Sequence, residues 1–342
     1  MRNVRLVRDH AGRETPLFRS FRYCAMAGLA LAASSALAQT PGWSPPRTPD
    51  GRPDLQGDWT NSSITTLERT NPSLPLVLSA EQVARLENQR AVQAAADAAP
   101  TDPSRGAPTD RNTQAGYNLF WIDRGSKVGV VNGEARSSWI TDPADGRMPL
   151  SEEGRARIRA ILSRRNEDGP EGMNPADRCL VGSRGSGGPP MLNNIYNNTY
   201  QIVQTPTHIM IDVEMMHDAR IIRIDQEHKP AAVTQWLGDS IGRWEGDTLV
   251  VVTRGWNRWH GDYEPVYLSE RATVTERFTR TGPEAITYEF AIDDPGFYTK
   301  PWKGEMVFTP SSGPVYEVAC HEGNYALKHI LQGARILEQR KK

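Results

Sequence analysis

From residue 199 onward, apolar and polar positions alternate in short runs separated by turn residues. Period-2 alternation marks strands that are buried on one face. The runs cover 199–204, 208–214, 219–224, 240–244, 248–254, 272–280, 285–293, 304–309 and 315–320. Thr205-Pro206-Thr207, Glu245-Gly246-Asp247, Thr281-Gly282-Pro283-Glu284 and 310–314 fall between them as turns. None of the runs is followed by a helical crossover, which disfavours a parallel sheet. About nine antiparallel strands in hairpin order predict an up-and-down barrel or a strongly curled sheet, a mainly β fold.

The preceding half reads differently. Residues 39–57 are rich in proline and glycine and predict an extended arm. A helix is expected over 80–98, with Ser79 as its N-cap and Glu81 in its first turn, and a second over 151–165. Short strand candidates lie at 118–123, 127–131 and 137–141, with a polar loop at 99–116 and a Gly-rich loop at 166–190. Residues 324–340 predict a C-terminal helix with Leu327, Ile330, Leu331 and Ala334 on one face. The expected division is a leader over 1–38, the arm over 39–57, a helix-containing part over 58–190 packed on the barrel, and the β-barrel half with its helix over 191–342.

The leader is a secretory signal in form. Six arginines precede residue 23, a short apolar run follows from Cys24 to Leu37, and Ala36-Leu37-Ala38 sets small residues at the cleavage positions. Cleavage is expected before Gln39, with export to the periplasm. Fourteen apolar residues fall short of the roughly 20 needed to span a bilayer, so no stable membrane insertion is expected. Arg22 and Tyr23 are wrong for a lipoprotein site at Cys24, and no adjacent arginine pair is present in the leader. The full chain has 40 basic and 41 acidic residues. Loss of the leader leaves about five net negative charges and no block of like charge, which disfavours nucleic acid and anionic membrane surfaces as partners. Cys179 and Cys320 remain, and in an oxidising compartment the pair is expected to form a disulfide.

Five stretches together resemble a widespread group of uncharacterised secreted bacterial proteins. They are PRTPDGRPDLQGDWT (46–60), SSWITDPADGRMP (137–149), IGRWEGDTLVVVT (241–253), DDPGFYTKPW (293–302) and EVACHEGN (317–324). The resemblance spans nearly the whole mature chain and carries no activity with it. The hairpin half is similar to lipocalin-like barrels, where Gly57-Asp58-Trp59 would stand for their Gly-X-Trp opening. The chain departs from the group at polar positions. Asp225-Gln226-Glu227-His228-Lys229-Pro230 replaces an aspartate-glycine-arginine turn before His-Pro. Gly238-Asp239-Ser240 replaces glycine-histidine-serine, and Leu268-Ser269 replaces a second His-Ser.

Candidate chemistry falls into four sets. Counting outward from the four-residue turn 281–284 places Glu276 opposite Glu289, with Phe278 opposite Thr287. Facing the interior, two opposed carboxylates would share a proton and do acid–base work; facing solvent, a neighbouring cation would relieve them. Cys320-His321-Glu322 would hold His321 near the rim of the last strand, as a base or ligand if not simply a surface residue. His228 and Asp239 complete the catalytic candidates. His208, His217, His228, His260, His321 and His329 show no metal-ligand spacing, so neither a metal nor another cofactor is expected. Trp236, Trp244, Trp256, Trp259, Tyr263, Tyr298 and Trp302 crowd the barrel half. Of these Trp244, Trp256, Tyr298 and Trp302 are the candidate ligand-binding residues, although aromatics also serve as ordinary core. The Gly-rich run 182–188 lacks the lysine and strand-to-helix context of a phosphate loop, and the serines have no obvious His and Asp partners in a known order. The expected function is periplasmic binding of a small apolar or aromatic molecule in a barrel pocket. The alternative is a cofactor-free lyase, isomerase or hydrolase using the carboxylates and histidines of the same pocket. A structural envelope role finds no support in the mild charge or the absence of repeats.

Overall fold

The structure, a computed structural model, describes residues 43–98, 122–164, 168–182, 186–257 and 265–340. The leader, most of the 118–123 strand candidate, Trp259, His260 and Tyr263 lie outside the described residues. In chain order the elements are β1 (Gly57–Thr60), α1 (Ala80–Asp97), β2 (Val130–Val131), β3 (Glu134–Ala135), β4 (Ile140–Asp142) and α2 (Glu152–Arg164). The β-rich half adds β5 (Thr199–Gln204), β6 (His208–Val213), β7 (Asp218–Ile224), β8 (Asp239–Glu245) and β9 (Thr248–Arg254). It ends with β10 (Thr273–Gly282), β11 (Ala285–Asp293), β12 (Trp302–Pro310) and α3 (Tyr325–Arg340).

Strands β5 to β12 follow one another around a sheet, and β1 pairs with both β5 and β12. That double pairing closes a nine-strand barrel. β4 pairs with the first half of β12, at Gly304↔Ile140, on the edge that β1 takes further along. The expected mainly β, lipocalin-like barrel is therefore present, with Gly57-Asp58-Trp59 in the closing strand. One neighbour pair differs from hairpin order. β7 and β8 run parallel, with Ile222 beside Ser240 and Ile224 beside Gly242. Parallel neighbours need a connection of about a dozen residues or more, and residues 225–238 supply it without a helix.

Closure also explains the strand that does not form. Residues 315–320 alternate, yet they make no strand. Trp59 and Thr60 already occupy the edge of β12 at Pro310 and Thr309, so a further strand has no edge to join there. The segment instead leads to Cys320, which is bonded to Cys179 with an S–S distance of 2.00 Å.

Alternation holds around the barrel. On β10, Val274, Glu276 and Phe278 are buried inside while Thr275 and Arg277 face outward. Interior aromatics fill the space over small residues: a Cβ at Gly304 would lie 2.3 Å from the ring of Phe290. Tyr200 stacks on Phe308 at 5.3 Å, and Tyr288 touches both Phe278 and Phe308. α1 begins as expected at Ser79, whose hydroxyl accepts from the Gln82 N–H while the Gln82 side chain returns the bond. It buries no residue and is tied on by Glu87, which takes the Lys127 ammonium and the Val128 N–H. α2 lies so close to the 294–298 loop that a Cβ at Gly154 would meet the Phe297 carbonyl at 2.1 Å.

Candidate functional site

The hairpin β10–β11 sets the site. Gly282 pairs with Ala285 across a two-residue turn, Pro283-Glu284, and the register shifts between Arg280 and Gly282. This bulge at Thr281 moves every following pair by one residue relative to a four-residue turn. Because side chains alternate, a one-residue slip exchanges the two faces. Glu276 therefore stands opposite Phe290, and Glu289 opposite Arg277, which corrects the expected Glu276–Glu289 pair. Glu289 lies on the outer wall, directly across from Glu305. Burial among these side chains pushes its carboxyl above the usual range, Arg277 opposes the shift, and Glu305 adds to it.

Inside, Glu276 meets an arginine. Arg220 of β7 donates to both carboxylate oxygens, at 3.0 and 2.7 Å, and both side chains are fully buried. Burial works against the Arg220 charge, but the adjacent carboxylate outweighs it and holds the guanidinium pKa above its ordinary value. Tyr288 donates to Glu276 at 2.8 Å and accepts from the Met191 N–H at 2.9 Å. Its burial, reinforced by the Glu276 charge, keeps the phenol protonated far above its usual range. Arg220 reaches Ser240 at 3.4 Å, and Ser240 shares a 2.8 Å bond with Thr253. Tyr200, whose pKa burial also raises, donates to the Ser186 carbonyl and accepts from the Asn61 amide. Among the described residues, two buried polar atoms in this group have no partner: Nε of Arg220 and Oδ1 of Asn61. Desolvating an ion pair can cost as much as its attraction returns, so such a pair is weak evidence for stability.

The group is covered from one rim, where β5, β7, β8, β10 and β12 begin, by residues 186–192. All seven are buried. Beside them, Asp218 at the start of β7 accepts from the Gly182 N–H at 2.6 Å. Burial raises its pKa to about 6, against the Gly182 bond and the neighbouring His217. A Cβ at Gly187 would lie 2.9 Å from the same carboxylate.

The other expected site residues lie elsewhere. His228 and Asp239 do meet, Nδ1 to Oδ2 at 3.1 Å, on the outside of the β7–β8 seam. Asp239 also takes both Arg223 bonds, at 2.9 and 3.0 Å, and the Lys229 N–H at 2.8 Å. Burial would raise its pKa, but these donors hold it below the usual carboxylate range. The cluster pins the 225–238 crossover to the barrel wall. His321 is exposed beside the disulfide. Trp256 is fully buried, donating to the Ala272 carbonyl, and Tyr298 is buried, donating to the Tyr267 carbonyl. Trp302 is fully buried against Phe290 and Tyr298, with its indole N–H unpartnered among the described residues. Trp244 packs half-buried at the core margin. The five acid–base candidates thus occupy four separate places, and only His228 and Asp239 touch. Among the described residues, no three His, Cys, Asp or Glu side chains group in a way that would hold a metal ion.

Arg220, Tyr200, Tyr288 and Asn61 had not been singled out. A signal for Arg220 existed: it shares parity with Ile222 and Ile224 on β7, as Glu276 does with Val274 and Phe278 on β10. Two opposite charges on two apolar faces are expected to find each other. No family model matches the chain, and neither a curated protein nor a solved structure matches it.

Proposed function

We propose that the protein is a periplasmic carrier which holds a small, partly apolar or aromatic molecule in its barrel, against the interior group around Arg220 and Glu276. The observation that carries this reading is a desolvated ion pair set among aromatic rings, with two orphaned polar atoms, beneath a segment that is neither strand nor helix. A barrel interior built only for stability gains little from such a pair, whereas a pocket that fixes a ligand's orientation needs a few polar groups in an apolar lining. Export is supported by the form of the leader and by the Cys179–Cys320 disulfide. Among the described residues no helix is long and apolar enough to cross a membrane.

The rival acid–base reading has the His228–Asp239 contact in its favour, since a carboxylate that orients an imidazole is the geometry of a general base. Asp239, however, is already committed to Arg223 and the Lys229 backbone, and the pair lies outside the barrel. The test is a fluorescence titration of the mature protein with 1-anilinonaphthalene-8-sulfonate. Saturable quenching of tryptophan emission at one equivalent, lost in Trp302→Ala, is expected. No saturable binding, with intact far-ultraviolet dichroism, would count against carriage in the barrel.

A further inference from the structure

Connecting segments run over protein surfaces because buried backbone N–H and C=O groups must be paired. Residues 186–192 break that habit over seven positions, and their sequence shows how. Pro189 and Pro190 have no N–H to satisfy, while Gly187 and Gly188 bring no side chain into a crowded interior. Three of its backbone groups find partners on side chains of the barrel and of the residue that follows β1. The Tyr200 hydroxyl donates to the Ser186 carbonyl at 3.1 Å. The Met191 N–H donates to the Tyr288 hydroxyl at 2.9 Å, and the Asn61 amide donates to the Met191 carbonyl at 3.2 Å. Met191 and Leu192 then seal the top of the aromatic core.

Two consequences follow. A segment held by side-chain bonds can leave without unzipping any strand ladder, because the ladder of β5 to β12 is complete without it. The groups it occupies, two tyrosine hydroxyls and a carboxamide, are also the polar groups that a molecule lying on the rings would need. We infer that residues 186–192 are a self-supplied plug, which blocks the barrel's polar interior and lifts as a unit to admit the ligand. This rests on the carrier reading above. Tyr200, Tyr288 and Asn61 are its catches, and at Gly187 an added Cβ would crowd Asp218 and Leu237.

Hydrogen exchange and dye binding on the disulfide-intact mature protein separate the plug from the carrier. Peptides covering 186–192 are expected to exchange well ahead of those from β10 and β11, after correction for intrinsic rates. Tyr200→Phe removes one catch, so their exchange is expected to rise roughly threefold to tenfold while the β10 and β11 peptides stay unchanged. The association rate of 1-anilinonaphthalene-8-sulfonate in stopped flow should rise by the same factor. Gly187→Ala, which crowds Asp218 and Leu237, should act in the same direction and guards against a misfolded tyrosine variant. Exchange of 186–192 only in step with β10 and β11 would make the segment permanent core and overturn the plug, even if the dye binds. Rapid exchange of 186–192 with no dye binding would instead overturn carriage, and the gating role with it.

Discussion

Replacing Glu276 by glutamine takes away one charge of a pair that has almost no contact with water. The shape is kept, and the remaining amide oxygen can still accept from Tyr288. What changes is the balance at Arg220: its guanidinium loses the carboxylate that offsets its burial. Removing one partner of a buried pair costs about 3–5 kcal/mol, a third or more of what many domains have in total. Arg220→Met, which leaves the carboxylate without its cation, should cost a similar amount. In Arg220→Met/Glu276→Gln neither charge is left. The aliphatic chain fills the arginine's place and only an amide N–H₂ wants a partner, at about 1–3 kcal/mol. Urea unfolding of the disulfide-intact protein, at constant slope, should therefore show the double variant no less stable than either single one. A coupling of at least about 2 kcal/mol would emerge from the cycle. Strict additivity would refute the claim that Arg220 and Glu276 are held by each other. A double variant that matches the parent in stability but no longer binds the dye would locate the reason for the pair in the ligand.

Asp218, with a carboxyl pKa of about 6 against 3.8 for the ordinary side chain, makes stability depend on pH. The folded state holds its proton more tightly between about pH 4 and pH 6, so stability should fall as pH rises through that window, by at most about 3 kcal/mol. Unfolding midpoints of Asp218→Asn should lose this slope, and an unchanged slope would show that another group causes it. Opening the Cys179–Cys320 bridge with paired serines frees a loop of 141 residues and should lower stability by about 4–5 kcal/mol in the chain-entropy account. A loss below about 1 kcal/mol would mean that the unfolded chain is already restrained there. Gly304→Ala drives a methyl group to 2.3 Å from Phe290, whose ring is held edge-on by Trp302. The expected loss is about 1–3 kcal/mol in thermal unfolding, and a neutral result would show that the interior has room to yield.

Much of the architecture was legible in the sequence, because alternation is imposed by a wall with one face inside. The strand expectations at 199–204, 248–254 and 285–293 coincide with the observed elements, and the disulfide followed from compartment and count. The failures have local causes. A bulge at Thr281 carries no obvious mark in Thr281-Gly282-Pro283-Glu284, and it inverted the reading of Glu289. The parallel β7–β8 pair was hidden because its crossover contains no helix; Asp239 fastens it with Arg223, His228 and Lys229 instead. Residues 186–190 read as the end of a Gly-rich loop, and glycine and proline punctuate most surface loops. Here the same two residues minimise what a buried backbone requires. Arg220 was overlooked because a charge is assumed to face water, although its parity on β7 placed it inside.

Native mass spectrometry of the protein, purified from its own host, tests the carrier reading most directly. The expected result is a polypeptide mass two hydrogens below that of the reduced chain, accompanied by a species carrying one additional organic mass. That mass should be released on denaturation and be diminished in Arg220→Met/Glu276→Gln. Bare polypeptide alone, with no dye binding in the barrel, would contradict it.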